Sequence, residues 1–451
     1  MAAPKARSVH ACGECGHRSP RWLGRCPDCG AWGTLVEEAT APISRGGAAP
    51  VPVRLADVGT GELSRIPTGV PELDRVLGGG LVPGALVLLG GEPGIGKSTL
   101  VLQALAHMAA SRRVLLVTGE ESPAQVAGRA ERLAAAGHAT GAVEVLAETG
   151  LERVVAALET HAPAVCAVDS VQTLASERLD SAPGSVAQVR QATADLMRVA
   201  KERGVAIILV GQVTKDGAIA GPRLLEHLVD CVLSFEGDPV SAHRVLRAGK
   251  NRFGSTNETG VFEMAAQGLV SVEDPTSLWL GDGAARVGSC VFPAVEGSRA
   301  PLVEVQALVG PTEIVPPRRV AGGVDRTRLA QVLAVLGRHA GLRLGDQDVF
   351  VSVAGGARAP DPAADLAIAL AVASAHRGVP LPAGTAAFGE IGLTGALREV
   401  GHAARRLAAA SAGGMAMAVV PPGAAGDAGA ATVSAVGAAD VKAALQACFS
   451  R

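Results

Sequence analysis

A nine-residue stretch, GEPGIGKST at 91–99, constrains the fold more than any other part of the chain. It fits the pattern GxxxxGK[ST], with the apolar run ALVLLG before it and a helical pattern after it. In such a loop backbone N–H groups surround phosphates, the lysine reaches the outer phosphates and the serine ligates Mg²⁺. A chance glycine-rich turn is the alternative, but the strand–loop–helix context favours a phosphate-binding loop. The predicted contacts are Gly91, Glu92, Pro93, Gly94, Ile95, Gly96, Lys97, Ser98 and Thr99.

Apolar strands and amphipathic helices alternate on both sides of this motif. Strands are predicted at ALVLLG, RVLLVTG, AVEVLA, AVCAVDS and VAIILVGQ, with helices such as SVAQVRQATADLMRVAKERG between them. Strands that are apolar throughout and separated by helices are typical of a parallel sheet covered on both faces. The fold class is therefore predicted to be α/β here.

Shifts in composition divide the 451 residues into four segments. A compact unit rich in Cys, Trp and Gly is followed by a stretch of Ala, Pro and Gly that has the composition of a linker. The α/β pattern then gives way to strand-rich sequence and further helices, which predicts a separate α+β domain. The predicted bounds are 10–34, 35–55, 56–275 and 280–451.

The overall charge limits the classes of partner. A net charge of −2 excludes a globally basic nucleic-acid-binding surface, so any contact with a polyanion must be local. The N-terminal residues lack the apolar core of a signal peptide, and no run of ~18 apolar residues occurs. We therefore expect no membrane span and a cytoplasmic setting.

Acidic and amide side chains follow three of the predicted strands. Asp169 closes AVCAVDS and can hold Mg²⁺ as a Walker B residue does. Glu120 and Glu121 follow RVLLVTG, and we favour Glu120 as the general base for the attacking water. The other glutamate can act as the N-cap of the helix at Pro123. Gln212 ends the VAIILV strand, where it can sense the terminal phosphate.

Four cysteines form two CxxC pairs that ten residues separate: Cys12, Cys15, Cys26 and Cys29. Two such knuckles complete a tetrahedral site of four thiolates, which predicts Zn²⁺. Redox pairs and disulfides are the alternatives, but two knuckles at this spacing in a cytoplasmic chain favour zinc. So small a unit cannot fold on its own core, so the metal is predicted to be structural. Whether the unit holds DNA or a protein partner stays open.

Three groups of cations are candidates for anion binding. Lys250 and Arg252, in KNRFG, are aimed either at a phosphate of the chain's own site, at one in a neighbouring subunit, or at nucleic acid. Lys215 and Arg223 lie in or beside the glycine-rich stretch 214–221, a surface loop or a DNA-contacting pore loop. Segment 315–345 is a solvated helix face or a phosphate-tracking surface. Its candidate contacts are Arg318, Arg319, Arg326 and Arg328.

With these motifs assembled, the chain resembles the bacterial RadA/Sms DNA-repair and recombination proteins. The matching stretches are GHRSPRWLGRCPDCGAWGTL, GGEPGIGKSTL, VTGEES, VDSVQT, GSVAQVR, VTKDGAIAGPRLLEH and KNRFG. The resemblance implies a RecA-type core, a ring-shaped homo-hexamer and DNA-dependent ATP hydrolysis. It also implies branch migration on single-stranded and branched DNA in cooperation with the RecA recombinase. RadA-like chains read GHVTK where this one reads GQVTK, and Gln212 restores an amide common in RecA-type ATPases.

The resemblance also assigns roles to KNRFG and to the last segment. Ring helicases similar to this core place a K-x-R pair on the γ-phosphate of the adjacent subunit, which implies that role for Lys250 and Arg252. The last segment resembles the proteolytic domain of Lon, but Ala363 stands where the serine would fall and Ala404 where the lysine would fall. Without a nucleophile and its base, acyl transfer cannot begin. We predict a scaffold, and a DNA-binding scaffold or recombinase-loading factor without translocation is the alternative to a motor.

Overall fold

The computed structural model describes thirteen stretches of the chain. They divide into two compact units, residues 1–272 and 273–451. The boundary predicted between 275 and 280 lies a few residues beyond this division. The described residues are 8–12, 17–28, 30, 32–39, 54, 64–212, 224–237, 243–274, 276–280, 284–354, 359, 361–426 and 432–449.

The first strands form a small antiparallel sheet. Strands β1 (Ser8–Cys12), β2 (Arg18–Ser19) and β3 (Leu35–Ala39) are ordered β2-β1-β3. Cys12, Cys26 and Leu35 are buried together beneath it, with Leu23 packed against them. A core of this size cannot stabilise a fold by burial alone, as the sequence predicted.

A nine-stranded sheet forms the centre of the first unit. Its order is β12-β11-β10-β9-β4-β8-β7-β5-β6, and the six strands from β9 to β6 are parallel. The predicted parallel sheet is confirmed, and an antiparallel extension of β10, β11 and β12 at one edge was not predicted. The strands are β4 (Leu86–Gly91), β5 (Val114–Thr118), β6 (Glu144–Ala147), β7 (Val165–Asp169), β8 (Ala206–Gln212), β9 (Cys231–Glu236), β10 (His243–Asn251), β11 (Thr259–Ala265) and β12 (Gly268–Ser271).

Helices cover both faces of this sheet. Leu86 and Leu88 of β4 pack into one core, whereas Val87 and Leu89 pack into the other, because successive strand side chains point to opposite faces. This double burial explains why the strands are apolar throughout. The helices are α1 (Pro71–Leu77), α2 (Lys97–Ala109), α3 (Pro123–Ala135), α4 (Leu151–His161), α5 (Val186–Arg203) and α6 (Leu224–Leu228).

The second unit is the predicted α+β domain, built on a seven-stranded mixed sheet ordered β15-β16-β14-β13-β17-β20-β21. Helix α9 is buried from Asp365 to Ser374. The strands are β13 (Ser289–Pro293), β14 (Leu302–Pro311), β15 (Arg319–Gly322), β16 (Gln347–Val353), β17 (Thr385–Ala387), β18 (Glu390–Ile391), β19 (Leu397–Arg398), β20 (Met417–Val420) and β21 (Ser434–Gly437). The helices are α7 (Thr276–Trp279), α8 (Arg326–His339), α9 (Asp365–Arg377), α10 (Ala403–Ala412), α11 (Pro422–Gly426) and α12 (Val441–Phe449).

Candidate nucleotide-binding site

The predicted phosphate-binding loop connects β4 to α2. Gly96 is the N-cap of α2 with φ of 114°, a left-handed conformation that favours glycine, and a Cβ there would lie 2.7 Å from Met264 Cε. The Lys97 amine donates to the carbonyl oxygens of Gly91 and Glu92, each at 2.9 Å. The loop and the N-terminus of α2 therefore form a cradle with the lysine inside it, a geometry suited to phosphates.

Lys97 is largely withdrawn from water. Burial lowers the pKa of its amine, and the charges of Asp169 and Glu120 oppose that shift. Two carboxyl groups thus lie close enough to stabilise the ammonium form. Phosphate oxygens would be stronger acceptors for this ammonium than the two carbonyls that it now contacts.

Asp169 and Ser98 form the candidate Mg²⁺ site. Asp169 ends β7, and Ser98 donates a hydrogen bond to its carboxylate from the first turn of α2. Burial raises the pKa of Asp169, and the Ser98 hydrogen bond opposes that shift. A hydroxyl and a carboxylate held together are oxygen ligands of the type that Mg²⁺ prefers, so the residues present fit the ion.

Glu120 lies beside this pair. Ser170 Oγ donates to Glu120 Oε1 at 2.5 Å, and Gln212 Nε2 lies 3.4 Å from the same oxygen. The turn that carries Glu120 requires Gly119, where a Cβ would lie 2.0 Å from Thr173 Oγ1. Glu120 is thereby held by Ser170, which follows β7, and by Gln212, which ends the neighbouring strand β8.

Glu121 points to a different partner. Its carboxylate forms an ion pair with Arg129 of α3 at 2.5 Å, and its backbone N–H donates to Thr118 Oγ1. The expectation that one glutamate caps α3 is wrong, because Ser122 is the N-cap and forms a capping box with Gln125. The geometry therefore distinguishes the two glutamates, which the sequence left as alternatives.

Strand order brings these residues together. The carboxyl ends of β4, β8, β7 and β5 are adjacent, with Gly91 paired to Gln212 and Thr118 paired to Asp169. Ser170 was not predicted, although it directly follows Asp169 in VDSVQT and its position after a buried strand was a usable signal.

Lys250 and Arg252 lie near the start of β4, whereas the phosphate-binding loop follows the end of that strand. Asn251 pairs with Cys231, and Cys231 pairs with Val87 of β4. The two ends of β4, Leu86 and Gly91, are separated by roughly 16 Å at ~3.3 Å per residue. Neither cation can reach the phosphate-binding loop of its own chain.

The two cations have different surroundings. The Lys250 amine donates to the carbonyl oxygens of Glu226 at 2.8 Å, His227 at 3.3 Å and Val229 at 2.7 Å, and so binds the C-terminal end of α6. These three acceptors use all three of its N–H groups. For Lys250 the geometry therefore favours a local structural role over the predicted contact with a neighbouring subunit.

Arg252 is exposed and contacts a buried acid. Its side chain is 58% exposed, and Nη1 lies 3.4 Å from Asp230 Oδ1. The Asp230 side chain is 2% exposed and also accepts hydrogen bonds from Lys201 Nζ at 2.7 Å and the Leu86 amide at 3.1 Å. Asp230 was missed by sequence reasoning, although an acid at the start of the apolar strand CVLSFE was a signal.

The arginines of the second unit divide into two groups. Arg319 donates to the carbonyl oxygens of Gln347 and Leu344, and Arg328 forms ion pairs with the buried Asp365 and with Glu390. These contacts favour structural roles for Arg319 and Arg328 over the predicted DNA contacts.

The remaining predicted ligands and DNA contacts fall into two groups. Arg318 and Arg326 are exposed and stay candidates for phosphate contacts. Lys215, Arg223, Cys15 and Cys29 lie outside the described residues.

The positions of the Lon-type catalytic residues hold apolar methyl groups. Ala363 is buried before α9, whereas Ala404 is exposed on α10. The buried Arg406 of α10 forms an ion pair with Asp361, which precedes Ala363, and donates to the carbonyl oxygen of Pro293 at 2.6 Å. An arginine–aspartate pair thus connects α10 to the segment before α9, and neither Ala363 nor Ala404 can act as a nucleophile or a base.

The cysteines that the structure describes fit the predicted zinc site. Cys12 and Cys26 come from the two CxxC pairs and share one buried cluster. Cys12 Sγ also lies 3.1 Å from Thr34 Oγ1. Bringing the two pairs together is what a tetrahedral thiolate site requires.

The sheet, the phosphate-binding loop and the acids at the strand ends define a RecA-type P-loop ATPase. Residues 52–218 match the AAA domain family, residues 10–37 the rubredoxin metal binding domain and residues 338–432 the Lon protease (S16) C-terminal proteolytic domain. Within the described residues, no helix is long and apolar enough to cross a membrane.

Relatives match the chain over nearly its whole length. It is 49% identical to the DNA repair protein RadA of Pseudomonas aeruginosa, over 93% of this chain and 94% of that protein. Identity is 47% to the Escherichia coli RadA, over 93% of each chain. It is 45% to the Bacillus subtilis RadA, over 92% of this chain and 93% of that one. The chain therefore belongs to the family of the DNA repair protein RadA.

Proposed function

We propose that the chain is a DNA-dependent ATPase that forms a six-subunit ring in the cytoplasm. It moves along single-stranded and branched DNA in recombinational repair, in cooperation with the RecA recombinase. One observation carries the proposal: the phosphate-binding loop follows the end of β4, whereas the exposed Arg252 lies near the start of that strand. A subunit with complementary halves of a site at opposite ends of its strands suits head-to-tail contacts, which form a ring when the rotation between subunits closes.

Within one subunit the residues divide the chemistry of ATP hydrolysis. Lys97 binds the outer phosphates, and Ser98 and Asp169 would hold Mg²⁺. Mg²⁺ supplies positive charge that offsets the phosphate charge. Glu120 accepts a proton from the water whose oxygen attacks the γ-phosphorus, while the bond to the bridging oxygen breaks and ADP leaves. Ser170 and Gln212 hold the Glu120 carboxylate toward that water.

Arg252 completes the site of the adjacent subunit. An arginine supplied across an interface stabilises the charge that develops on the transferred phosphoryl group, an effect of ~10³–10⁵ in known cases. Lys250 supports it by holding the 226–229 segment that leads into Asp230. The contacts of the two side chains support these different roles.

Contacts with DNA are local in this proposal. The net charge of −2 leaves discrete cationic positions, of which Arg318 and Arg326 are exposed and Lys215 and Arg223 lie in the undescribed 213–223 segment. The four cysteines hold a structural Zn²⁺. The C-terminal unit serves as a scaffold and not as a protease, because a methyl group stands at both catalytic positions.

The ATPase rate with and without single-stranded DNA tests the proposal. We expect stimulation by DNA, and we expect Lys97→Ala to abolish hydrolysis while the protein still folds. A rate that DNA does not change, or one that Lys97→Ala does not lower, would contradict it. Stimulated hydrolysis without branch migration would instead support an ATP-gated scaffold or recombinase-loading factor.

A mixing experiment tests the role of Arg252. Subunits with Arg252→Ala retain an intact P-loop, and subunits with Lys97→Ala retain an intact arginine. Mixed in one ring, they should regain part of the activity that each lacks alone. If the mixture stays inactive while both variants form rings, Arg252 contacts DNA directly.

A further inference from the structure

The cysteine-rich segment 10–34, here called the N-terminal unit, carries two tryptophans that are exposed to solvent. Trp22 is 58% exposed and Trp32 is 76% exposed, whereas the third tryptophan of the chain, Trp279, is 5% exposed. An indole ring offers a large apolar face that proteins usually cover. Two such rings within eleven residues of each other therefore indicate a surface that binds a ligand.

The fold holds the two rings close together. Gly24 lies between them: a Cβ on this residue would be 3.7 Å from Trp22 Cη2 and 3.7 Å from Trp32 Cζ3. The edges of the rings are therefore within about twice that distance of each other. The Gly33 amide donates to the Gly24 carbonyl oxygen at 2.8 Å, which fixes the backbone between them. The rings form one surface.

Arginines border this surface. Arg25 pairs with Trp32 in an antiparallel bridge, and its Cζ lies 6.0 Å from the centre of the Trp32 ring. Its Nε donates to the Gly30 carbonyl oxygen at 2.9 Å, which holds the guanidinium beside the indole. Arg21 is also exposed next to Trp22. One acid lies between the two tryptophans in the sequence, Asp28, and it faces His17 at 4.0 Å.

We propose that Trp22 and Trp32, bordered by Arg21 and Arg25, form an indole platform on which bases of single-stranded DNA stack. Aromatic rings stack on bases of any sequence, and arginines beside them attract the phosphates. Duplex bases already stack on each other, so the platform selects single strands. The proposed function enters only in the choice of DNA as the nucleic acid.

Tryptophan fluorescence of the full chain, titrated with oligo-dT in the absence of nucleotide, tests the platform. Stacking should quench the emission of the two exposed rings, and Trp279 supplies the unquenched remainder. Trp22→Ala and Trp32→Ala should each weaken binding about five-fold or more, since stacking is worth ~1–3 kcal/mol per base. Trp22→Phe and Trp32→Phe should keep most of the affinity because a phenyl ring still stacks.

Leu393→Ala is a matched control, because it removes an exposed apolar side chain, 69% accessible, from the other unit. Zinc content reports whether each variant keeps the fold of the N-terminal unit. The double alanine variant retains only Trp279, so its affinity is measured by the fluorescence anisotropy of labelled oligo-dT. Unchanged affinity in this variant with zinc retained would overturn the platform. If that variant instead loses only co-precipitation with the RecA recombinase, the surface binds protein and the proposal is equally overturned.

The ATPase rate distinguishes failure of the indole platform from failure of the proposed function. If the platform is wrong, DNA still stimulates hydrolysis in the double alanine variant with unchanged half-saturation. If the proposed function is wrong, DNA does not stimulate the unsubstituted chain at all.

Discussion

Arg252 contacts Asp230, a buried carboxylate that also binds the first residue of the central strand. Arg252 Nη1 lies 3.4 Å from Asp230 Oδ1. The Asp230 side chain also accepts hydrogen bonds from the Leu86 amide and from Lys201 Nζ. The segment that carries Arg252 is thereby attached to β4, whose other end forms the phosphate-binding loop. One strand connects the two halves of the proposed catalytic arrangement.

Asp230→Asn should impair hydrolysis without impairing nucleotide binding. The amide keeps one acceptor but loses the charge that positions Arg252, so we expect kcat to fall about ten-fold or more, while KM for ATP changes little. Stability should also fall by ~1–3 kcal/mol, because a buried hydrogen-bonded group loses a partner. Steady-state ATPase kinetics and urea unfolding measure the two effects.

Asp195→Asn is the control for that substitution, because it also removes an aspartate that pairs with a cation, Arg178, on the first unit. It should leave kcat unchanged. Equal loss of kcat in both variants would show that Asp230 acts through general stability and not through Arg252.

The two glutamates after β5 should behave differently. Glu120→Gln removes the proton acceptor and should lower kcat by ~10²-fold or more, with ATP binding retained. Glu121→Gln removes an ion pair with Arg129 and should change kcat by only a few-fold. Single-turnover hydrolysis and binding of a fluorescent ATP analogue test both variants. The reverse ranking would assign the base to Glu121.

Arg326 and Arg328 form a matched pair on α8. Arg328→Ala leaves Asp365 buried without its cation and should cost somewhat less than the ~3–5 kcal/mol typical of broken buried pairs, because Arg328 is 26% exposed. Arg326→Ala should leave stability unchanged and weaken DNA binding, with a smaller salt dependence. Thermal unfolding and DNA titration at two salt concentrations distinguish these roles.

The cost of Arg328→Ala should depend on pH. Burial raises the pKa of Asp365, and Arg328 opposes that shift, so its removal raises the pKa further. A carboxyl whose pKa is raised in the folded state destabilises the fold where it is ionised and not where it is protonated. The loss should therefore be greatest at neutral pH and shrink as pH falls through the raised pKa of Asp365 in the variant, which lies above the ordinary aspartate value. A loss that grows in acid would contradict this account.

Zinc removal should unfold the N-terminal unit and leave the rest folded. The purified chain should contain one equivalent of zinc, and Cys26→Ser should lose it, because the small core around Cys12 and Leu35 cannot replace metal binding. Elemental analysis and fluorescence of the exposed tryptophans report the two effects. DNA-independent ATPase activity is the internal control and should persist. One equivalent of zinc retained by Cys26→Ser would exclude that thiolate as a ligand.

The sequence by itself determined those features of the protein that depend only on residues close together in the chain. Short patterns predict the loop at 91–99, the alternation of strands and helices and the zinc site of the paired CxxC motifs. They do so because backbone geometry and ligand chemistry depend on residues a few positions apart. The same holds for Ala363 and Ala404, where a missing side chain is visible in the sequence alone.

Only the tertiary structure decided which of several similar residues faces which partner. Glu120 differs from Glu121, and Arg326 from Arg328, through contacts with segments far away in sequence. The position of Arg252 opposite the phosphate-binding loop depends on the antiparallel pairing of β10 with β9. Strand order and register arise from the packing of the whole sheet, which no short pattern specifies.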